Sequence, residues 1–280
     1  MTATYTESPT QRITADNGVE YASRETGAGA VPLILLQHFR GNLDSWDPAL
    51  VDALAADRWV VAVDNTGVGA STGTTPRTVA EMARDVLAFL DASGFEQVDL
   101  LGFSLGSFVA QELTLIRPDA VRRLVLASSA PQGAAGMHGW APKVIDAVGR
   151  PQPVPEGVLG VFYADSDTSR QAGMQAFGRM AARTSDRDDQ TTWATRLAQY
   201  DAVCDWGIPN HALLERVSTI SVPVFVTNGD SDPMILPHYS YLLAGLIPHA
   251  RLKIYPDSAH GFLFQHHLEF AADVTAFLAT

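Results

Sequence analysis

The sequence predicts an α/β protein: a mostly parallel sheet covered by helices on both faces, with a block of helices inserted before its last two strands. Three observations lead there. Short apolar runs at 31–36, 59–63, 98–103 and 124–127 alternate with segments of helical periodicity, the rhythm of a parallel sheet joined by crossover helices. From 131 to about 218 that rhythm stops; prolines cluster at Pro151, Pro153 and Pro155 and no strand-like run occurs. It resumes at 222–227 and 252–255, ahead of a closing helix. The expected division is a core formed by residues 1–130 and 219–280, with residues 131–218 as a helical insertion.

Taken in order, residues 12–15 and 19–23 alternate loosely around Asn17-Gly18, which predicts an antiparallel hairpin at one edge. The run 31–36 is continuously apolar, as a buried parallel strand is, and ends in Gln37-His38-Phe39-Arg40-Gly41. Asp47 followed by Pro48 marks a helix start, with Leu50, Val51 and Leu54 on its inner face. After the strand at 59–63, Thr78 and Glu81 form a capping box for a helix carrying Val79, Met82, Val86 and Leu90, closed by Gly94. In the insertion, two amphipathic helices are expected, one through Met174, Phe177 and Ala181, the other through Trp193, Leu197, Tyr200 and Cys204.

The chemistry concentrates at Gly102-Phe103-Ser104-Leu105-Gly106. Val98–Phe103 has the length of a buried strand, and the apolar spacing turns helical from Leu105 to Ile116, so Ser104 sits on a strand-to-helix turn. This is G-x-S-x-G in the setting that a nucleophile elbow requires. Glycines two residues to either side leave room for so sharp a turn, and the N–H of Leu105 opens the helix facing any charge that develops on a carbonyl oxygen. A serine hydroxyl also needs a base, and the base an orienting carboxylate. In an open parallel sheet these belong in loops at the carboxyl ends of strands. The loop after 222–227 offers Asp230 and Asp232; the loop after 252–255 offers His260. Serine, aspartate, histidine is the chain order that goes with such an elbow.

Bulk properties narrow the function class. With 31 acidic against 19 basic residues and a net charge of -12, nucleic acid and anionic membrane surfaces are not expected partners. A single cysteine, Cys204, excludes an internal disulfide, and no His/Cys/carboxylate spacing of a metal site is present, so neither metal nor cofactor is expected. The N-terminal stretch has no basic segment followed by an apolar run, which places the protein in the cytoplasm by default.

Over nearly its whole length the chain resembles the α/β-hydrolase superfamily, elbow, acid loop and histidine loop included. Asp64 to Ser71 is similar to that family's D-x-R-G-x-G-x-S loop, with Thr66 where arginine is usual. Within the superfamily the resemblance is to capped bacterial esterases, lactonases and cofactor-free haloperoxidases. It implies an α/β-hydrolase fold with the insertion as a cap, Ser104, Asp232 and His260 as catalytic residues, and Asp232 rather than Asp230 as the acid. It further implies an oxyanion hole from the backbone N–H of Leu105 and that of Arg40, or of Phe39 if the loop is shifted by one, since His38-Phe39 stands where His-Gly is usual. Phe39, Phe103, Trp140, Phe162 and Trp193 are the expected substrate contacts. The implied activity is hydrolysis of a small, largely apolar ester or lactone. Perhydrolysis, C–C bond hydrolysis and a slow-turnover ligand receptor are alternatives open to the same residues.

Overall fold

The computed structural model describes residues 3–280. Eight strands form one sheet: β1 (Gln11–Thr14), β2 (Glu20–Thr26), β3 (Leu33–Leu36), β4 (Val60–Val63), β5 (Val98–Phe103), β6 (Val121–Ala127), β7 (Val224–Gly229) and β8 (Arg251–Tyr255). Their spatial order is β1-β2-β4-β3-β5-β6-β7-β8. The pairs β1–β2 and β2–β4 are antiparallel and every other pair is parallel. The central strands β3, β4 and β5 are buried along their whole length, which is why they read as unbroken apolar runs instead of alternating ones. The sheet matches the expected α/β class. It differs at β6, which begins three residues before its apolar stretch because Arg122 is held in place by a bidentate contact to buried Asp99 on β5. β2 likewise runs past Ser23 to Thr26, pairing there with β4.

The flanking helices are α1 (Pro48–Ala55), α2 (Val79–Ala92) and α3 (Leu105–Ile116). The first two start where the caps predicted: Asp47 accepts from the Ala49 N–H at 3.1 Å, and Thr78 accepts from the Glu81 N–H at 3.2 Å. Between β6 and β7 lie α4 (Pro142–Val148), α5 (Pro155–Phe162), α6 (Asp167–Met180), α7 (Trp193–Trp206) and α8 (His211–Arg216). Of these, the sequence pattern predicts only α6 and α7. Pro142 and Pro155 are not breakers but first residues of α4 and α5, positions where the missing N–H costs nothing. The buried faces of α6 and α7 also differ from the expected ones. Met174 and Leu197 point outward, at 67% and 37% exposure, while Ser169, Gly173, Arg196 and Gln199 are buried. The chain ends with α9 (His238–Leu246), also unforeseen, α10 (Phe262–Gln265) and α11 (His267–Ala279).

The insertion is fastened to the core partly through acids. The N–H of Leu43 is shared by Asp64, at the end of β4, and Asp188, in the insertion, at 2.9 and 3.0 Å. Beside them Asp44 pairs with buried Arg24 at 2.6 Å and accepts from the Asp188 N–H at 2.9 Å. Burial raises both carboxyls, Asp64 well above the usual range, and the neighbouring Asp188 charge adds to the rise at Asp64. A carboxyl whose value is raised on folding binds a proton more tightly in the folded protein than in the unfolded chain. Stability therefore falls as pH rises from the ordinary carboxylate range through the raised value. Asp188→Asn keeps an acceptor for Leu43 and gives Asp64 an amide donor, so it should raise stability by about 1 kcal/mol near neutral pH and flatten that fall. Urea denaturation of both proteins at pH 5 and pH 8 checks this: an equal gain at both pH values contradicts the account in which ionisation of the raised carboxyls costs stability.

Candidate active site

The turn between β5 and α3 holds Ser104 at φ 55°, ψ -120°, a region that a non-glycine residue occupies only when its surroundings impose it. The imposition is visible. A Cβ on Gly102 would lie 2.4 Å from the Gly106 carbonyl oxygen, and one on Gly106 would lie 2.1 Å from that of Leu36 on β3. Strand, turn and helix thus approach more closely than any other residue type permits. Behind the turn, Ser107 Oγ donates to Ser129 Oγ at 2.7 Å, and Gln111 Nε2 donates to the same oxygen at 2.9 Å. These bonds tie the first turn of α3 to the end of β6.

Three loops at the carboxyl ends of the strands bring the expected side chains together. His260 Nε2 lies 2.9 Å from Ser104 Oγ, and His260 Nδ1 lies 2.8 Å from Asp232 Oδ2. The second Asp232 oxygen accepts the N–H groups of Met234 and Ile235 at 2.8 and 3.0 Å. That arrangement fixes the carboxylate and, through it, the ring. Asp230 is occupied elsewhere: it accepts from the N–H groups of Asp257 and Ser258 at 2.9 and 3.2 Å, clamping the β7 loop to the β8 loop. All three residues, Ser104, His260 and Asp232, are enclosed, none more than 1% exposed. Phe103 and Phe162 pack on the His260 ring at 5.0 and 5.2 Å. Phe162, at the end of α5, also accepts the N–H of Gly261 at 2.7 Å, so the insertion closes directly over the histidine loop.

His38 packs edge-on against Phe103 and Phe162 at 5.2 and 5.3 Å, and its Nδ1 faces the Phe39 carbonyl at 2.8 Å. Burial lowers its pKa to about 4, against a partial rise from that carbonyl. It is therefore neutral at physiological pH, with Nδ1 protonated and donating to the carbonyl. In the next two residues the expected donors separate. The Arg40 N–H is occupied, donated to Gln199 Oε1 at 2.7 Å. Among the described residues, the N–H groups of Phe39 and Leu105 have no partner. The shift by one residue, to Phe39, is the alternative that leaves a donor free, because Arg40 adopts φ 67° and turns its own N–H toward α7.

Of the expected substrate contacts, Phe39 and Phe162 line a cavity of about 570 Å³ together with His38, Arg40, Val148 and Val158. Trp140 stands one ring back, edge-on to Phe39 at 5.0 Å. Phe103 is fully buried beneath His260 and does not line that cavity, since the strand that delivers Ser104 carries it into the core. Trp193 does not line it either; it is 44% exposed on α7, with Arg196 against its ring. Gln199 was missed because a helix is read by its apolar stripe, and here the stripe facing the site is polar. The spacing of Arg196, Gln199 and Tyr200 at i, i+3 and i+4 was the available signal.

Among the described residues no group of three or more His, Cys, Asp or Glu could hold a metal ion, and no helix is long and apolar enough to cross a membrane. A parallel sheet with a serine elbow and a hydrogen-bonded histidine and aspartate in the loops after β7 and β8 defines the hydrolase class of α/β proteins. The sequence model of the alpha/beta hydrolase fold matches residues 31–267. An alpha/beta hydrolase fold protein from Chitinophaga pinensis superposes with a TM-score of 0.93 at 37% identity, over 99% of this chain and 100% of that one. A pimeloyl-[acyl-carrier protein] methyl ester esterase of Edwardsiella ictaluri is 28% identical over 260 residues, 90% of this chain and 94% of that protein. A poly(3-hydroxyalkanoate) depolymerase of Ectopseudomonas oleovorans is 28% identical over 250 residues, 88% and 84% of the two chains. The chain belongs to the alpha/beta hydrolase fold family.

Proposed function

We infer that the protein is a serine hydrolase that cleaves a carboxylic ester or lactone of a small, largely apolar substrate through an acyl-enzyme on Ser104. The observation that carries this reading is the unbroken series Ser104 Oγ, His260, Asp232, at 2.9 and 2.8 Å, beside two unpartnered backbone donors. His260 takes the Ser104 proton as Oγ attacks the carbonyl carbon. The N–H groups of Leu105 and Phe39 hold the oxyanion of the tetrahedral intermediate, a charge they meet without rearranging because nothing else engages them. His260 then gives its proton to the departing alcohol oxygen, while Asp232 holds the imidazolium in place. Water, deprotonated by the same ring, attacks the acyl-enzyme and returns Ser104 to its free form. In this reading the insertion acts as a cap, with the Phe39 and Phe162 rings against the substrate.

The test is hydrolysis of p-nitrophenyl esters from acetyl to decanoyl by wild type and Ser104→Ala side by side. Turnover confined to the wild type, with an acylated Ser104 found by mass spectrometry after quenching, is the expected result. A folded wild type that binds esters but leaves them intact would replace this reading with that of a ligand receptor.

A further inference from the structure

An excess of positive charge without acidic partners lies between the site loop and the insertion. Arg196, on α7, is 6% exposed, and among the described residues none of its side-chain nitrogens makes a hydrogen bond or an ion pair; its Nε is buried outright. Only aromatic rings attend it: its guanidinium carbon lies 4.7 Å from the centre of Tyr200, 5.0 Å from Trp193 and 5.7 Å from Phe39. Arg40 donates to the carbonyl oxygens of Val148, Arg150 and Pro151 at 3.3, 2.6 and 3.0 Å, and to no carboxylate. Burial lowers its pKa, and the nearby charge of Arg196 lowers it further. Asp146 on α4 and Asp201 on α7 pair with Arg150 and Arg77 at 3.5 and 3.1 Å. The buried Nε is the one Arg196 nitrogen closed off from water, so the ring-lined guanidinium keeps its terminal N–H groups open to an incoming acceptor.

Among the other buried groups without partners are two donors in the aromatic cluster around Arg196. Trp140 Nε1 has none, although its ring packs on Phe39 and Tyr200 at 5.0 and 5.1 Å. Gln199 Nε2 has none either. Its amide orientation is fixed, because Oε1 must face the Arg40 N–H, leaving the NH₂ group to point elsewhere. Arg196, Gln199 and Trp140 thus supply guanidinium, amide and indole N–H groups with no competing acceptor. Acceptor-only ligands fit such a set, and a carboxylate fits it best.

We propose that Arg196, Gln199 and Trp140 form a subsite for a carboxylate carried by the substrate, so that the preferred esters are those of an apolar chain bearing a second, free acid group. The link between cavity and subsite is Phe39, which lines the cavity with Val148, Val158 and Phe162 and lies 5.7 Å from the Arg196 guanidinium carbon and 5.0 Å from the Trp140 ring; in this arrangement the ester sits at Ser104. This deepens the serine hydrolase reading and rests on it.

The experiment compares monomethyl esters of C4 to C8 dicarboxylic acids with methyl esters of the matching monocarboxylic acids. In wild type the ratio of kcat/KM, acid-bearing over neutral, should exceed one, and Arg196→Gln should lower that ratio about 10- to 100-fold, chiefly through KM. Trp140→Phe keeps the ring and removes only the indole donor; it should lower the ratio about threefold or more. A second readout needs no turnover: adipate should raise the Tm of Ser104→Ala protein and not that of Ser104→Ala with Arg196→Gln. A ratio unchanged in folded Arg196→Gln overturns the proposal, leaving Arg196 as packing for the insertion. Acetate protecting as well as adipate also overturns it, since that marks a generic small-anion site. If wild type cleaves none of the esters, the hydrolase reading fails, and the adipate shift alone decides whether the subsite exists.

Discussion

Asp232→Asn is expected to lower kcat for ester hydrolysis by about 10⁴-fold while the protein stays folded. The asparagine can still accept the Met234 and Ile235 N–H groups that now reach Asp232 Oδ1. What changes is the atom facing His260 Nδ1: an amide NH₂ there favours the tautomer whose proton sits on Nε2, and that ring nitrogen can no longer take the Ser104 proton. Asp230→Asn should do the reverse. Among the described residues its oxygens bond only backbone N–H groups and the Ser231 hydroxyl, so the chemistry survives and the clamp between the β7 and β8 loops loosens. Steady-state kinetics and thermal melts of the two variants separate these outcomes. Full activity in Asp232→Asn would move the acid role away from that residue.

Gly106→Ala should prevent stable folding, with a loss of about 4 kcal/mol or more. The new methyl group would stand 2.1 Å from the Leu36 carbonyl oxygen and 2.8 Å from that of Gln37. Neither can retreat alone. Leu36 pairs with Val63 on one side and Gly102 on the other, and Gln37 begins the loop carrying His38 and Phe39. A urea midpoint within error of wild type would show that the approach of α3 to β3 is looser than described.

How much of this was legible in the sequence follows from the range over which each signal acts. The elbow was readable because its glycines, its strand and its helix lie within twenty residues and each has its own local chemistry. Asp47 and Thr78 were readable for the same reason, as caps that act within one helical turn. Choosing between Asp230 and Asp232 needed the family resemblance, since both stand in one loop and only the distant His260 distinguishes them. The choice between Arg40 and Phe39 was hidden further, because it depends on a positive φ at Arg40 and a bond to Gln199, 159 residues away. The insertion was read least well. Three of its helices are short, two of those begin on proline, and the buried side of α7 carries arginine and glutamine, against the rule by which helix faces are assigned.

The Arg40 contacts also bear on how this protein can diverge. Its guanidinium grips the insertion only through the backbone carbonyls of Val148, Arg150 and Pro151, and its own carbonyl accepts the Thr191 hydroxyl at 2.6 Å. Carbonyl groups are common to all twenty amino acids, so that grip tolerates almost any exchange of side chains between 148 and 151. Adding or deleting one residue there would shift every carbonyl out of reach. Point substitution at constant length between 148 and 151 therefore leaves the Arg40 contacts in place, whereas an insertion or deletion there breaks them.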